Sequence, residues 1–429
     1  MKERLILLIY RALLPLLFVI AFPGWIVKML RRGGFGTALN ERIGIYTRVA
    51  EFEPSGAIHL HAVSVGETVL ALKLLREWQR AVPESRFVLA TGTATGHDLA
   101  TRAAIPGLRV TYSPLDFPWM VRSYLKRFEP SRVVLIEGEV WPNFLRIAEK
   151  RDIPVLLANA RVSPHSTKRF LKFAPLLRPF FSRLSAVCIQ EKEHRELWLT
   201  LGISPENIHV TGSIKFDPQS AIPPLLREDF SEMLSAFGNG RSVVLAASTF
   251  PGEEVLIASA IHAANVDALP VIVPRHAERR AEVFQALTQA GFQVTLRSSF
   301  TAPSLLEKQV FVIDTTGELA AWTSHADVVI IGKSFLSIGG QNPAEAILAR
   351  KPLILGPHME NFQPLVRHLH TADAAIVAHT QEEITSAIRS ALNPSTATAL
   401  TQNAIRVLSL HDGATKRHLQ VLQGSAKPA

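Results

Sequence analysis

Val328-Val329-Ile330-Ile331-Gly332-Lys333-Ser334-Phe335-Leu336-Ser337-Ile338-Gly339-Gly340-Gln341-Asn342-Pro343-Ala344-Glu345-Ala346-Ile347 is the stretch that decides the fold. Four consecutive apolar residues read as a buried strand. Two adjacent glycines follow, then an Asn-Pro step that can open a helix with Pro343 in its first turn. Glu345 falls in the same turn, near the N–H groups that a helix leaves unsatisfied. A strand, a glycine loop and a helix N-terminus make a site for a phosphate-bearing ligand, with Glu345 as an acceptor for sugar hydroxyls. The same pattern is also that of an ordinary strand-to-helix turn, so the stretch has to be weighed with its surroundings.

The pattern repeats on both sides. Short apolar runs alternate with amphipathic segments of helical length, as in parallel βα units. In the first half strands are expected at 57–62, 87–90, 133–136, 155–158, 186–189 and 209–211. In the second they are expected at 242–246, 271–273, 310–313, 328–331, 353–355 and 375–377. Between the halves, Asp217-Pro218 and Pro223-Pro224 read as a linker. At 429 residues the chain is too long for one ordinary core. The expected division is an N-terminal anchor at 1–32, a Rossmann-like domain at 33–216, a linker at 217–240 and a second Rossmann-like domain at 241–429. The fold class is α/β, two doubly wound sheets facing a cleft.

The N-terminus departs from this pattern. Residues 5–30 are mostly apolar, flanked by Lys2 and Arg4 before and by Lys28, Arg31 and Arg32 after. Phe22-Pro23-Gly24-Trp25 lacks the small residues of a signal-peptide cleavage site. Arg11 within the run, with Pro15 and Pro23 expected to interrupt the helix, makes a full span marginal. Either a short anchor or a helix lying in the interface accounts for it. The flanking basic residues place the globular part on the cytoplasmic side. A formal charge of +9 suits an anionic membrane surface or anionic substrates. Nucleic acid is disfavoured, because no zinc-finger spacing, aromatic RNA-binding signature or long basic run is present. Cys188 is the only cysteine, which excludes an internal disulfide and fits a reducing compartment.

In doubly wound sheets ligands bind beyond the carboxyl ends of the strands, so the loops there are where chemistry is sought. Glu67 stands at the first strand-to-helix corner, as a cleft-facing carboxylate or simply a helix cap. Glu137-Gly138-Glu139 follows a buried strand, and Arg161 after the next could pair with these acids. Lys215 lies beside the linker, where it could meet an anionic group. In the second half the corresponding loops carry Ser248 and Thr249, Pro274-Arg275, Gly317-Glu318-Leu319 and the opening stretch with Asn342, Pro343, Ala344 and Glu345. Their convergence on one sheet edge favours a nucleotide-type anion. No metal site is indicated, since the histidines are scattered and neither His-Glu-x-x-His nor Asp-x-Asp occurs.

In this order the loops resemble the bacterial 3-deoxy-D-manno-octulosonate (Kdo) transferases of lipopolysaccharide assembly. The matching pieces are HAVSVGET at 61–68, EGEVWPN at 137–143, NAR at 159–161, TGSIKFD at 211–217 and STFPGEE at 248–254. They continue with PRHAER at 274–279, TGEL at 316–319, GGQNPAE at 339–345 and GPHMENF at 356–362, and Glu41-Arg42-Ile43-Gly44 after the apolar terminus also fits.

The resemblance implies a GT-B glycosyltransferase at the inner membrane that moves Kdo from CMP-Kdo to a lipid A precursor (lipid IVA), with inversion and without a metal or other cofactor. It makes Glu67 the general base, and Glu137 and Lys215 the groups that stabilise the transition state. CMP contacts fall on Pro274, Arg275, Gly317, Glu318, Leu319 and Asn342 to Glu345, with Ser248 and Thr249 as lesser candidates. The chain departs from the family pattern at Gln341, where a histidine is usual, and at Lys333, where a second glycine is common. Gly138 and Val140 are milder variants. Two other readings are carried alongside: a nucleotide-sugar epimerase on the same fold, and a membrane-tethered sugar or nucleotide binder without catalysis.

Overall fold

A computed structural model describes residues 2–31, 39–46, 55–138, 140–162, 164–218, 226–302 and 308–424. Glu139 lies outside them. The chain forms two compact units, residues 1–220 with 411–429, and residues 221–410.

The first unit is built on seven strands: β1 Ile58–Ala62, β2 Phe87–Thr91, β3 Leu108–Tyr112, β4 Arg132–Ile136, β5 Val155–Ala160, β6 Ala186–Ile189 and β7 Ile208–Val210. Their order is β3-β2-β1-β4-β5-β6-β7, and every pairing is parallel. The apolar runs are continuous because helices cover both faces. With a side-chain period of two, Val133, Leu135 and Leu157 enter the core on one face, while Leu60, Val134, Ile136 and Leu156 enter the other.

The second unit repeats the plan with β8 Ser242–Thr249, β9 Ala268–Pro274, β10 Gln293–Leu296, β11 Gln309–Val312, β12 Val328–Ile331, β13 Leu353–Leu355 and β14 Ile376–Val377. The order is β10-β11-β9-β8-β12-β13-β14, again all parallel. The strand order crosses to the other side of its first strand at β1/β4 in the first unit and at β8/β12 in the second, where β11 also inserts between β9 and β10. Such switch points are where doubly wound sheets bind ligands.

Two strands escaped the sequence reading. β3 and β10 are the outermost strands on one side of their sheets, largely half-exposed, and Arg109, Thr111, Gln293 and Thr295 break their apolar runs. The region expected as a linker is not one throughout. Asp217 is buried in the first unit. Its carboxylate accepts from the amides of Gly413 (3.0 Å) and Thr415 (2.8 Å), and so caps the helix Ala414–Gly424. Residues Glu228–Ser235 form a helix whose Phe230 stacks on Trp322 of the second unit, ring centres 3.7 Å apart. The second domain also ends earlier than the expected 429. Residues 411–424 return to the first unit, where Leu419 and Leu422 enter its core.

The N-terminal helix Lys2–Arg31 runs through Pro15 and Pro23 without interruption. Within it Glu3–Gly24 is, by length and composition, apolar enough to cross a membrane. Its first three turns are fastened to the first unit. Glu3 pairs with Arg183 at 2.8 Å, Tyr10 donates to Asp116 at 2.9 Å, and Arg11 Nε donates to Asn143 Oδ1 at 2.6 Å.

Candidate active site

In the first unit the site forms where β1 and β4 lie side by side. Ser64 caps the helix Val65–Ala81 through a bond from the Glu67 amide to its Oγ, and that turn carries Glu67 just beyond β1. The Glu67 carboxylate is buried and accepts from Val63 N–H at 2.9 Å and from Ser64 Oγ–H at 2.8 Å. Its orientation is therefore fixed by its own turn. Gly92 permits the neighbouring loop to approach, since a Cβ there would stand 2.7 Å from the Val63 carbonyl.

Glu137 follows β4 with φ +64°, a left-handed conformation that non-glycine residues adopt at a cost. Asn159, near the end of β5 with φ +54°, gathers the pieces. Its Nδ2 donates to Glu137 Oε1 at 3.4 Å, a long bond, and its Oδ1 accepts from the Ile214 amide at 2.9 Å. Ile214 opens the one-turn helix Ile214–Phe216 that holds Lys215. The Asn159 amide donates to His418 Nε2 at 2.9 Å, and the other ring nitrogen of His418 stands 2.8 Å from the Ala414 carbonyl. This pairing requires the neutral tautomer with its proton on Nδ1. Burial pushes the His418 pKa down to about 4. Burial also pushes the Lys215 amine down to about 8; the Arg161 charge adds to this and the Glu137 carboxylate opposes it. Lys215, Arg161 and Glu137 thus form one electrostatic group.

In the second unit the equivalent place is between β8 and β12. Ser248 and Thr249 end β8, with Ser248 at φ +59°, and Lys333 follows β12 at φ +55°. Lys333 is the second residue after β12, as Glu137 is the first after β4, and both take the left-handed conformation that a glycine would adopt without cost. Gly332 cannot carry a side chain, because a Cβ would stand 2.6 Å from the Ser248 carbonyl. Pro274 ends β9, and the amide of exposed Arg275 donates to the Thr249 carbonyl at 3.0 Å. Gly317 (φ +83°) and Glu318 precede the helix Leu319–His325. The Glu318 carboxylate accepts from Thr315 Oγ, from Trp322 Nε1 at 3.3 Å and from Arg297 at 3.5 Å, and stands 3.6 Å from the Arg227 guanidinium. Asn342 Oδ1 accepts from the Ala344 amide at 3.2 Å. Pro343 caps the short helix Ala344–Leu348, on which Glu345 is exposed. Because all seven strands are parallel, the loops after β8, β9, β11 and β12 emerge from one edge.

The strongest link in this edge is Glu253, which sequence reasoning passed over as part of a motif. Fully buried, it accepts from the amides of Phe250 (2.9 Å), Lys333 (2.6 Å) and Phe335 (3.0 Å), tying the loop after β8 to the loop after β12. Its neighbour Glu254 is also buried and accepts from Thr249 Oγ and Arg279, both at 2.8 Å. Two adjacent acids behind Pro-Gly at a helix start are the signal that could have found them. Among the described residues no three His, Cys, Asp or Glu side chains gather as a metal-binding group.

Comparison with known proteins identifies the family. Residues 37–218 match the sequence profile of the 3-deoxy-D-manno-octulosonic-acid transferases. A 3-deoxy-D-manno-octulosonic acid transferase of Bordetella pertussis is 33% identical over 96% of this chain and 97% of its own. The chain belongs to the Kdo transferase family. A second transferase of that name, from Haemophilus influenzae, is 31% identical over 90% of both chains. Among solved structures, a glycosyltransferase from Rickettsia africae covers 87% of this chain and 99% of its own, with a TM-score of 0.58 at 12% identity. That likeness is one of fold, the GT-B architecture of two Rossmann-like units. As a Kdo transferase the chain is an enzyme. In the first unit Glu67 and Glu137 follow adjacent strands and Lys215 joins Glu137. In the second unit the expected donor residues share one edge.

Proposed function

We propose that this Kdo transferase moves Kdo from CMP-Kdo to a lipid A precursor, lipid IVA, at the cytoplasmic face of the inner membrane. Glu67 takes the proton from the acceptor sugar hydroxyl as that oxygen attacks the anomeric carbon of Kdo. Attack and departure on opposite faces invert the centre, so one carboxylate base suffices and no covalent intermediate forms. Lys215, held near Glu137, offsets the negative charge that grows on the departing CMP and that Kdo already carries as a carboxylate. Lys215 supplies that cation in place of a metal. Pro274, Arg275, the amides around Gly317 to Leu319, and Asn342 to Glu345 hold the nucleotide, with Ser248 and Thr249 bordering it.

The observation that carries this reading is the buried, doubly hydrogen-bonded Glu67 at the β1/β4 switch point. Its neighbour strand delivers Glu137, which feels the charge of Lys215. The apolar helix, pinned at Glu3, Tyr10 and Arg11, supports a membrane-held acceptor.

The test is a turnover assay with purified full-length chain, CMP-Kdo and tetra-acylated lipid A precursor in the presence of a chelator. CMP release with a matching increase in lipid mass is expected. Glu67→Ala is expected to lower turnover by about 10²–10⁴-fold while CMP still binds. Full activity in that variant would remove the base assignment, and absence of CMP release with any lipid would remove the reaction.

A further inference from the structure

The first turns of the N-terminal helix, with the helices Pro118–Phe128 and Pro142–Glu149, line a cavity of about 480 Å³. Six cations line it, Arg4, Arg11, Arg122, Arg146, Lys150 and Arg151, around a single carboxylate, Glu3. Glu3 is already matched by Arg183 at 2.8 Å and by Arg146 at 3.6 Å. Arg4, Arg122, Lys150 and Arg151 have no ion-pair partner among the described residues and are exposed. So many like charges around one small volume repel one another unless an anion joins them. Guanidinium forks match phosphate oxygens, and several at once favour a phosphate over a lone carboxylate.

The remaining lining is apolar. Leu7, Leu8 and Ile147 border the cavity. From Leu8 the helix continues outward with exposed Ile9, Leu13, Leu16, Leu17 and Ile20. An apolar stripe of this size on a surface calls for a cover, and here it begins at the edge of the cationic cavity. A molecule with a phosphate at one end and hydrocarbon at the other satisfies both.

We infer that this cavity is a binding site for the phosphate headgroup of an anionic membrane lipid, whose acyl chains lie along the exposed face of the N-terminal helix. The inference does not rest on the reaction proposed above. Its cations lie on the helix of Asn143 and the turn that ends it, on the helix Pro118–Phe128 and on the N-terminal helix. An occupied site therefore sets how the first unit sits on the bilayer.

The experiment is co-sedimentation of the full chain with phosphatidylcholine vesicles, with and without phosphatidic acid. Arg122→Ser, Lys150→Ser and Arg151→Ser are combined in one variant. A control removes three exposed cations elsewhere on the first unit, Arg76→Ser, Arg102→Ser and Lys416→Ser. Loss of the three cavity cations is expected to weaken binding to phosphatidic-acid vesicles on the order of 10²-fold. The control should change it only a few-fold, and the charge-keeping set Arg122→Lys, Lys150→Arg and Arg151→Lys should restore it. All variants are to be melted beside the wild type to establish that they fold. Equal losses in cavity and control variants would reduce the site to diffuse attraction, and unchanged binding in the cavity variant would abolish it. Inorganic phosphate bound by the chain without vesicles as tightly as the lipid would overturn the lipid assignment.

Discussion

The backbone amide of Asn159 donates to Nε2 of His418, 2.9 Å away and 259 residues along the chain. Asn159 also holds Glu137 through Nδ2 and the Ile214 amide through Oδ1, so one histidine on the last helix stands behind both expected transition-state groups. His418→Leu strands the Asn159 amide in a dry interior, at a cost of about 1–3 kcal/mol. The expected outcome is a lower urea midpoint with a fall in kcat greater than the change in KM. His418→Gln, which can still accept, should recover most of both.

Stability is expected to fall as pH drops below about 6.5. His418 and His61 are held neutral by burial, with pKa values of about 4 and about 3, and His59 lies well below its ordinary value. In the unfolded chain all three take up protons near 6.5, so the unfolded state binds more protons between about 6.5 and 3 and gains accordingly. Each unit of depression corresponds to about 1.4 kcal/mol per histidine when fully traversed. Asp116 works the other way, because burial raises its carboxyl to about 6 and the fold there takes up a proton first. Urea unfolding at pH 7, 6 and 5 reads the balance, and a rise in stability on acidification would contradict it.

Catalysis should weaken on the alkaline side. In the proposed reaction Lys215 serves as a cation, and with its pKa lowered by burial to about 8 the free enzyme loses that charge as pH rises through that value. The profile of kcat/KM against pH is expected to show a descending limb there. Lys215→Arg should move the limb upward, since arginine keeps its charge. Lys215→Ala should lower kcat/KM by roughly 10²–10³-fold below about pH 8 and abolish the limb, with the two enzymes converging above it.

Glu253→Ala would leave the amides of Phe250, Lys333 and Phe335 without their shared acceptor. A loss of about 3 kcal/mol or more is expected, because each buried donor left unpaired costs about 1–3 kcal/mol. CMP affinity, measured by calorimetry, should fall with it. Glu253→Gln keeps one acceptor and should lie between. Wild-type CMP affinity in a folded Glu253→Ala protein would mean the two loops need no tie.

Much of this was legible in the sequence, for identifiable reasons. Strands buried on both faces announce themselves as unbroken apolar runs, so β1, β4, β8 and β12 and the corners after them could be placed, and with them the positions of Glu67, Glu137 and the loops expected to meet the donor. β3 and β10 could not, because a half-exposed edge strand mixes Arg109 or Gln293 into its pattern. Relationships across the chain were hidden for a different cause. Nothing near Asp217 says that it caps a helix starting at Ala414, and nothing near His418 says that it meets Asn159. Gln341 remains a half-buried departure from the usual histidine, and nothing in the structure explains it.

The return of the last helix to the first unit carries a consequence for how the protein is made. β1 to β7 leave the ribosome early, yet the histidine behind Asn159 and the partner of Asp217 follow only after residues 221–410 have been synthesised. At ordinary translation speeds that interval is roughly 10–40 s. During it the first unit is an unfinished shell, with its core open where Leu419 and Leu422 belong. The half that would deprotonate a sugar is completed only after the half that would hold the nucleotide has been synthesised.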